Sequence, residues 1–144
     1  MDYVRVAKAV IRRRSDGKYL VLRCSEWPER PDRSLKPDLA GGAVETGETF
    51  EEGVRREVQE EAGLDLRTDE FRIGYANSFI YTNEADPKAV VRTLFFCEVD
   101  DPEIVLSWEH SEYWWATADE LENLEWKQFY RDAFAFMRKS GLIK

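Results

Sequence analysis

The spacing of apolar positions along the chain changes several times, and each change marks an element. From Val4 to Arg13 apolar residues alternate in part and are rich in β-branching, as in a strand with one buried face. Ser15-Asp16-Gly17-Lys18 supplies turn residues and Tyr19 to Arg23 resumes the strand pattern, which predicts a hairpin. Between Thr49 and Gly63 the period becomes helical. Val54, Val58 and Ala62 fall on one narrow stripe, Thr49 and Glu52 form a capping box, and Gly63 is placed to end the helix, which predicts a helix from Phe50 to Ala62.

Phe71 to Thr82 and Ala89 to Val99 read as two more strands separated by the polar turn Asn83 to Pro87. The unbroken apolar run Leu94 to Cys97 is that of a central strand. Asp100-Asp101-Pro102 breaks the pattern and Ile104 to Leu106 predicts a brief strand. Thr117 with Glu120 predicts a short capped helix ending near Leu124. A last helix follows from Trp126 to Arg138, with Phe129, Ala133, Phe136 and Met137 on its buried face and Gly141 beyond it. Strands, a helix, strands and two helices predict an α/β or α+β fold, a mixed sheet with helices on both faces.

At 144 residues the chain is one domain by size, expected to span 1–144. Charged residues make up 35% of it, no apolar run reaches the membrane-spanning length of about 18 residues, and MDYVRVAKAV lacks the apolar core of a signal peptide, so a cytoplasmic protein is expected. The net charge of −8 argues against a duplex-binding surface, which needs a basic face to displace counterions. A membrane partner is not expected either. The two cysteines, Cys24 and Cys97, lie in apolar strand runs and read as buried thiols. With His110 the only histidine, a zinc site is not expected.

The predicted helix Phe50 to Ala62 holds the first chemistry. Glu57, Glu60 and Glu61 fall together beside its apolar stripe. Like charges at that spacing cost about 0.2–0.5 kcal/mol per pair, which a bound cation offsets. Hard divalent ions such as Mg²⁺ take carboxylate oxygens together with water and substrate phosphates. Arg56 is spaced to pair with Glu60 or Glu52 and to orient the carboxylates. A metallated carboxylate site also lets so acidic a chain hold a polyphosphate, because the ion inverts the local charge.

Gly42, Glu48 and Arg56-Glu57-Val58-Gln59-Glu60-Glu61-Ala62-Gly63-Leu64 match the pattern G-x5-E-x7-R-E-U-x-E-E-x-G-U, with U a large aliphatic, at all nine specified positions over 23 residues. The stretch resembles the Nudix box. The resemblance implies an α/β/α sandwich and a metal-dependent hydrolase that cleaves a nucleoside diphosphate linked to another group by attack of water on phosphorus. It implies Glu57, Glu60, Glu61 and the Gly41 carbonyl as ligands of Mg²⁺, with Mn²⁺ a substitute, and gives Arg56 and Glu48 places in the catalytic machinery. One departure is Ala40, where family members commonly carry Pro before the two glycines. It frees the turn somewhat.

Glu57, or a loop carboxylate at Glu109 or Glu112, is expected to draw the proton from water. The loop from Cys24 to Asp38 carries Trp27, Arg30 and Arg33, which with Trp114 are candidates to hold the base and outer phosphates. Trp115 and His110 are expected to be structural. Two rival readings are a nucleotide sensor without turnover, whose signature would be a lost box carboxylate, and an isoprenoid diphosphate isomerase of the same fold, whose ligand set a single histidine scarcely supplies. A nucleoside triphosphate is the slightly favoured substrate, with ADP-ribose, sugar nucleotides and dinucleoside polyphosphates as alternatives. The sequence leaves monomer and homodimer equally open.

Overall fold

The computed structural model describes residues 2–81 and 87–144, so the expected turn Asn83 to Pro87 and the end of the Phe71 to Thr82 strand lie largely outside the described residues. The strands are β1 (Asp2–Arg13), β2 (Tyr19–Cys24), β3 (Pro37–Asp38), β4 (Ala40–Ala43), β5 (Arg72–Tyr81), β6 (Lys88–Val99) and β7 (His110–Ala116). The helices are α1 (Phe50–Ala62), α2 (Ala118–Glu122) and α3 (Gln128–Lys139). Among the described residues no helix is long and apolar enough to cross a membrane.

Strand β1 organises the mixed sheet. Along one edge it runs parallel to β6 from Asp2↔Lys88 to Arg13↔Val99, and β6 in turn pairs antiparallel with β5. The other edge of β1 is divided. Its first half pairs with β4 from Val6↔Ala43 to Ala9↔Ala40, and only its end meets β2, at Arg12↔Tyr19. The predicted hairpin is therefore present but splayed, because β4 occupies the edge that β2 would otherwise take. Strand β2 pairs instead with β3 and β7. The gap between the two halves becomes the site.

Alternation along the central strands sorts the core into two layers. Ala7, Ala9, Ile11, Phe95 and Cys97 face α1, where they meet Val54, Val58 and Ala62. Val10, Leu94 and Phe96 face the other way, onto Leu121, Phe134 and Met137 of α2 and α3. Full burial of side chains this size contributes about 1.5–3 kcal/mol each.

Four expectations are corrected. The surface loop expected to run to Asp38 ends in a strand, since Pro37 and Asp38 pair with Arg23 and Leu22; proline is tolerated there because β3 lies at the sheet's edge. The stretch before Trp115 is strand β7. Ile104 to Leu106 forms no strand, because the Val105 amide donates to the Ala62 carbonyl at 2.9 Å and closes the C-terminus of α1 instead. In α3 the buried face carries Phe134 rather than Phe136, which is 52% exposed. The helix is rolled toward Trp126 and Tyr130, whose rings pack with Phe134.

Candidate active site

Strand β4 brings the glycines to α1. Gly41 adopts φ +137°, and a Cβ there would stand 2.3 Å from the Ala7 carbonyl oxygen, so only glycine lets β4 lie this close to β1. Ala40 is buried and paired with Ala9, so the strand ladder supplies the rigidity that a proline would otherwise give. A Cβ at Gly42 would come within 3.1 Å of the Glu57 carboxyl carbon. The space beside Gly42 is thus the seat of that carboxylate.

The start of α1 is set by the expected capping box, Thr49 and Glu52 each bonding the other's backbone amide at 3.1 and 2.9 Å. Arg56 then ties the preceding loop to the helix. Its guanidinium donates to both Glu48 oxygens at 2.8 and 3.0 Å, to the Ala43 carbonyl at 3.1 Å, and to Glu57 and Glu60 at 3.2 Å each. The Glu48 carboxyl is held down at about 2 by those bonds from Arg56. One planar fork thereby fixes the position of Glu57.

Glu61 is buried and accepts the Gly41 amide at 3.1 Å. Burial pushes its carboxyl up to about 8, with Asp38 and Glu57 adding to the rise against the opposing pull of Lys8. Burial also raises Glu57, against the opposing pull of Arg56. Two adjacent, partly desolvated carboxylates short of positive charge suit a hard divalent cation. Glu57, Glu61 and Gly41 all line one cavity of about 820 Å³. That volume accommodates a nucleotide.

The same cavity is lined by Lys8 of β1, Arg92 of β6, Trp126 and Tyr130, with Arg30 and Arg33 from the long loop. Asp38, at its side, is a hub. Its Oδ1 accepts Lys8 Nζ at 2.6 Å and the Leu39 amide at 2.9 Å, while Oδ2 lies 2.9 Å from His110 Nε2 and 3.6 Å from Cys24 Sγ. Burial opposes the charge on both Lys8 and Asp38. Their pairing outweighs it, holding the lysine above its ordinary range and the carboxyl well below its own.

Cys24, Asp38 and His110 have ligating atoms within 4.8 Å of one another, a grouping that the spacing of the sequence does not reveal. The donor set fits a structural hydrogen-bond cluster better than an ion. Lys8 already pairs with Asp38, Arg33 stands 4.0 Å away, and burial pushes the Cys24 thiol up to about 11, so a cation would meet positive charge and a protonated thiol.

Several candidates fall elsewhere. Glu60 is exposed, pairs with Arg56 and stands outside the cavity lining, at the outer side of α1. Glu109 lines the cavity, whereas Glu112 does not: it lies on β7, exposed and paired with Arg23. Trp114 lines a separate shallow depression, with Arg23 over its ring at 4.9 Å. Trp27 packs edge to face on Trp108 at 5.6 Å, with Arg30 and Arg33 against it. It shapes the loop that carries the two arginines rather than the cavity wall.

Lys8, Asp38, Arg92 and Tyr130 were not among the expected site residues. A signal existed for two of them. Lys8 sits between Val6 and Val10, and Arg92 between Val90 and Leu94, each a charge at the inward phase of a strand.

The geometry has a family counterpart. The NUDIX domain profile matches residues 3–136, and the chain belongs to the Nudix family and is a Nudix hydrolase. A nucleoside triphosphatase, NudI, of Escherichia coli O139:H28 is 30% identical over 115 residues, covering 74% of this chain and 78% of that protein. Among solved structures, a MutT protein from Methanosarcina mazei Go1 is 31% identical with a TM-score of 0.78, covering 97% of this chain and 96% of its own. The Escherichia coli dihydroneopterin triphosphate pyrophosphohydrolase shares the fold at 21% identity, with a TM-score of 0.70 over 93% of this chain and 95% of its own.

Proposed function

We propose that this hydrolase is a Mg²⁺-dependent pyrophosphohydrolase of nucleoside triphosphates, releasing a nucleoside monophosphate and pyrophosphate. The observation that carries the reading is one cavity of about 820 Å³ lined both by the Glu57 and Glu61 carboxylates and by Trp126 and Tyr130. The NudI relative, named a nucleoside triphosphatase, favours the same substrate class. Mn²⁺ is the expected substitute metal.

Glu57, Glu61 and the Gly41 carbonyl would hold the ion, and Glu60, paired with Arg56 outside the cavity lining, would have to turn from that pair to join them. When bound, the ion neutralises phosphate oxygens and acidifies water. Arg56 and Glu48 orient Glu57, and Arg30 and Arg33 supply positive charge to the outer phosphates. Glu57 or Glu109, both on the cavity, takes the proton of the attacking water, in preference to Glu112, which is outside the lining and paired with Arg23. The free, buried thiols Cys24 and Cys97 suit a reducing compartment such as the cytoplasm.

Phosphorus NMR of a triphosphate digest tests the reaction. Pyrophosphate and monophosphate as sole products support it, while orthophosphate and diphosphate, or turnover in excess chelator, overturn it. Glu57→Gln and Glu109→Gln then separate the two bases by their pH profiles: the variant that loses the acidic limb of kcat has lost the base.

A further inference from the structure

We propose that the inner end of the cavity selects nucleobases that present carbonyl oxygens and discriminates against those that present an exocyclic amine there. This rests on the nucleotide reading above and names the substrate class within it.

Lys8 and Arg92 stand on the same face of neighbouring strands, since Val6 pairs with Arg92 and Lys8 with Leu94. Tyr130 reaches the same floor from α3 and is close enough to feel the charges of Lys8, Asp38 and Arg92. Lys8 spends two of its three N–H groups on Asp38 at 2.6 Å and the Leu39 carbonyl at 3.2 Å, leaving one. Arg92 is held between two rings, 4.8 Å from the Phe79 centroid and 4.2 Å from that of Phe129. It makes no hydrogen bond or ion pair among the described residues, and its Nε is buried without an acceptor. The Tyr130 hydroxyl is also without a hydrogen-bond partner among the described residues.

The nearest carboxylate acceptor is already engaged. Asp38, the acidic group nearest this floor, has its two oxygens occupied by Lys8, the Leu39 amide, His110 and Cys24, about as many donors as a carboxylate has lone pairs. Trp126, which lines the cavity, donates its indole N–H to the Leu121 carbonyl at 2.7 Å, so that donor is engaged. Of the remaining cavity carboxylates, Glu61 accepts the amide of Gly41, the residue paired with Lys8 on β4, and Glu57 lies beside Gly42. Asp32 and Glu125 are paired with Arg30 and Lys36, and Glu109 precedes β7.

A floor of two cationic donors and one hydroxyl, beside aromatic side chains, is complementary to a planar ring edged with acceptors. Uracil, thymine, hypoxanthine and guanine carry a carbonyl where cytosine and adenine carry an amine. An amine would confront Lys8 and Arg92 with further N–H groups and leave buried charged donors unsatisfied. Sites of this kind discriminate by at least about tenfold. A phosphate offers acceptors too, but the aromatic side chains beside this floor have nothing to gain from one.

Calorimetric titration with nucleoside monophosphates tests the inference without depending on hydrolysis. UMP is expected to bind at least about tenfold more tightly than CMP, and IMP than AMP, with inorganic pyrophosphate unable to compete in the absence of metal. Tyr130→Phe, which removes one oxygen and keeps the ring, should narrow the preference, and Arg92→Met should bring it within about twofold. Equal binding of UMP and CMP, displacement by pyrophosphate, or a preference unchanged in both variants overturns the inference. Should Arg92→Met fail to fold, Tyr130→Phe alone decides it. Keto-selective binding with no hydrolysis of any triphosphate would overturn the proposed reaction and leave this inference standing, whereas hydrolysis of UTP and CTP at equal kcat/KM would do the reverse.

Discussion

Glu61 accepts the backbone amide of Gly41 at 3.1 Å, and this bond across twenty residues joins the helix that carries the box to the strand that carries its glycines. The carboxylate is held at the cavity by backbone, so its position is set before any metal arrives. Its charge is not: burial keeps the pair of Glu57 and Glu61 reluctant to ionise together.

That reluctance predicts an inverted pH dependence for the metal-free protein. A carboxyl near 4.3 in the unfolded chain and pushed up to about 8 in the folded one binds more protons when folded. Stability conferred by the neutral form is present below about pH 4 and is lost as the pH rises toward 8. In chelator, the melting temperature should fall from pH 5 to pH 8, and Glu61→Gln, which can still accept the Gly41 amide, should flatten the slope. A melting temperature that rises over that range would contradict the site's electrostatics. Added Mg²⁺ should raise it most at the alkaline end, where its ligands are most readily ionised.

The two glycines should fail differently. Gly41→Ala drives a methyl to 2.3 Å from the Ala7 carbonyl at a φ side chains avoid, and should cost at least about 2 kcal/mol in urea unfolding. Gly42→Ala meets only the end of the Glu57 side chain, at 3.1 Å, and should cost under about 1 kcal/mol while lowering kcat at least about tenfold through the displaced carboxylate. Equal stability of the two variants would show that β4 can move away from β1.

Arg56→Lys keeps the charge but not the fork that spans Glu48, Ala43 and Glu57. Stability should change by no more than about 1 kcal/mol, because the pair is partly solvated, whereas kcat should fall steeply. A variant with full activity would remove Arg56 from the positioning role.

Lys8→Met leaves buried Asp38 with Arg33, 4.0 Å away, in place of its close ion pair, and breaking such a pair from one side should cost about 3–5 kcal/mol. Lys8→Met combined with Asp38→Leu should recover part of that loss, measured as a positive coupling in a double-mutant cycle. Additive losses would mean that Lys8 and Asp38 act on stability independently.

What the sequence determined by itself was local. The bounds of α1, its capping box, its apolar stripe and the grouping of Glu57 with Glu61 depend on residues within one or two turns, where spacing alone decides which side chains are neighbours. The central place of β6 was legible for a similar reason, since an unbroken apolar run belongs between two layers.

Tertiary structure decided the rest, through contacts between distant residues. Parallel pairing of β1 with β6 and the seating of β4 on β1 splay the hairpin and open the cavity, and neither is encoded in any one segment. Glu109 and Glu112 are three residues apart with similar surroundings in sequence, yet only the first lines the cavity, because β7 begins between them and pairs Glu112 with Arg23 on the exposed edge. Asp38 looks like a loop residue until β3 pairs with β2 and carries it against Lys8, His110 and Cys24, which come from three other strands. Local periodicity determines which face of an element is apolar, whereas the partner of a buried charge depends on which elements the fold brings together.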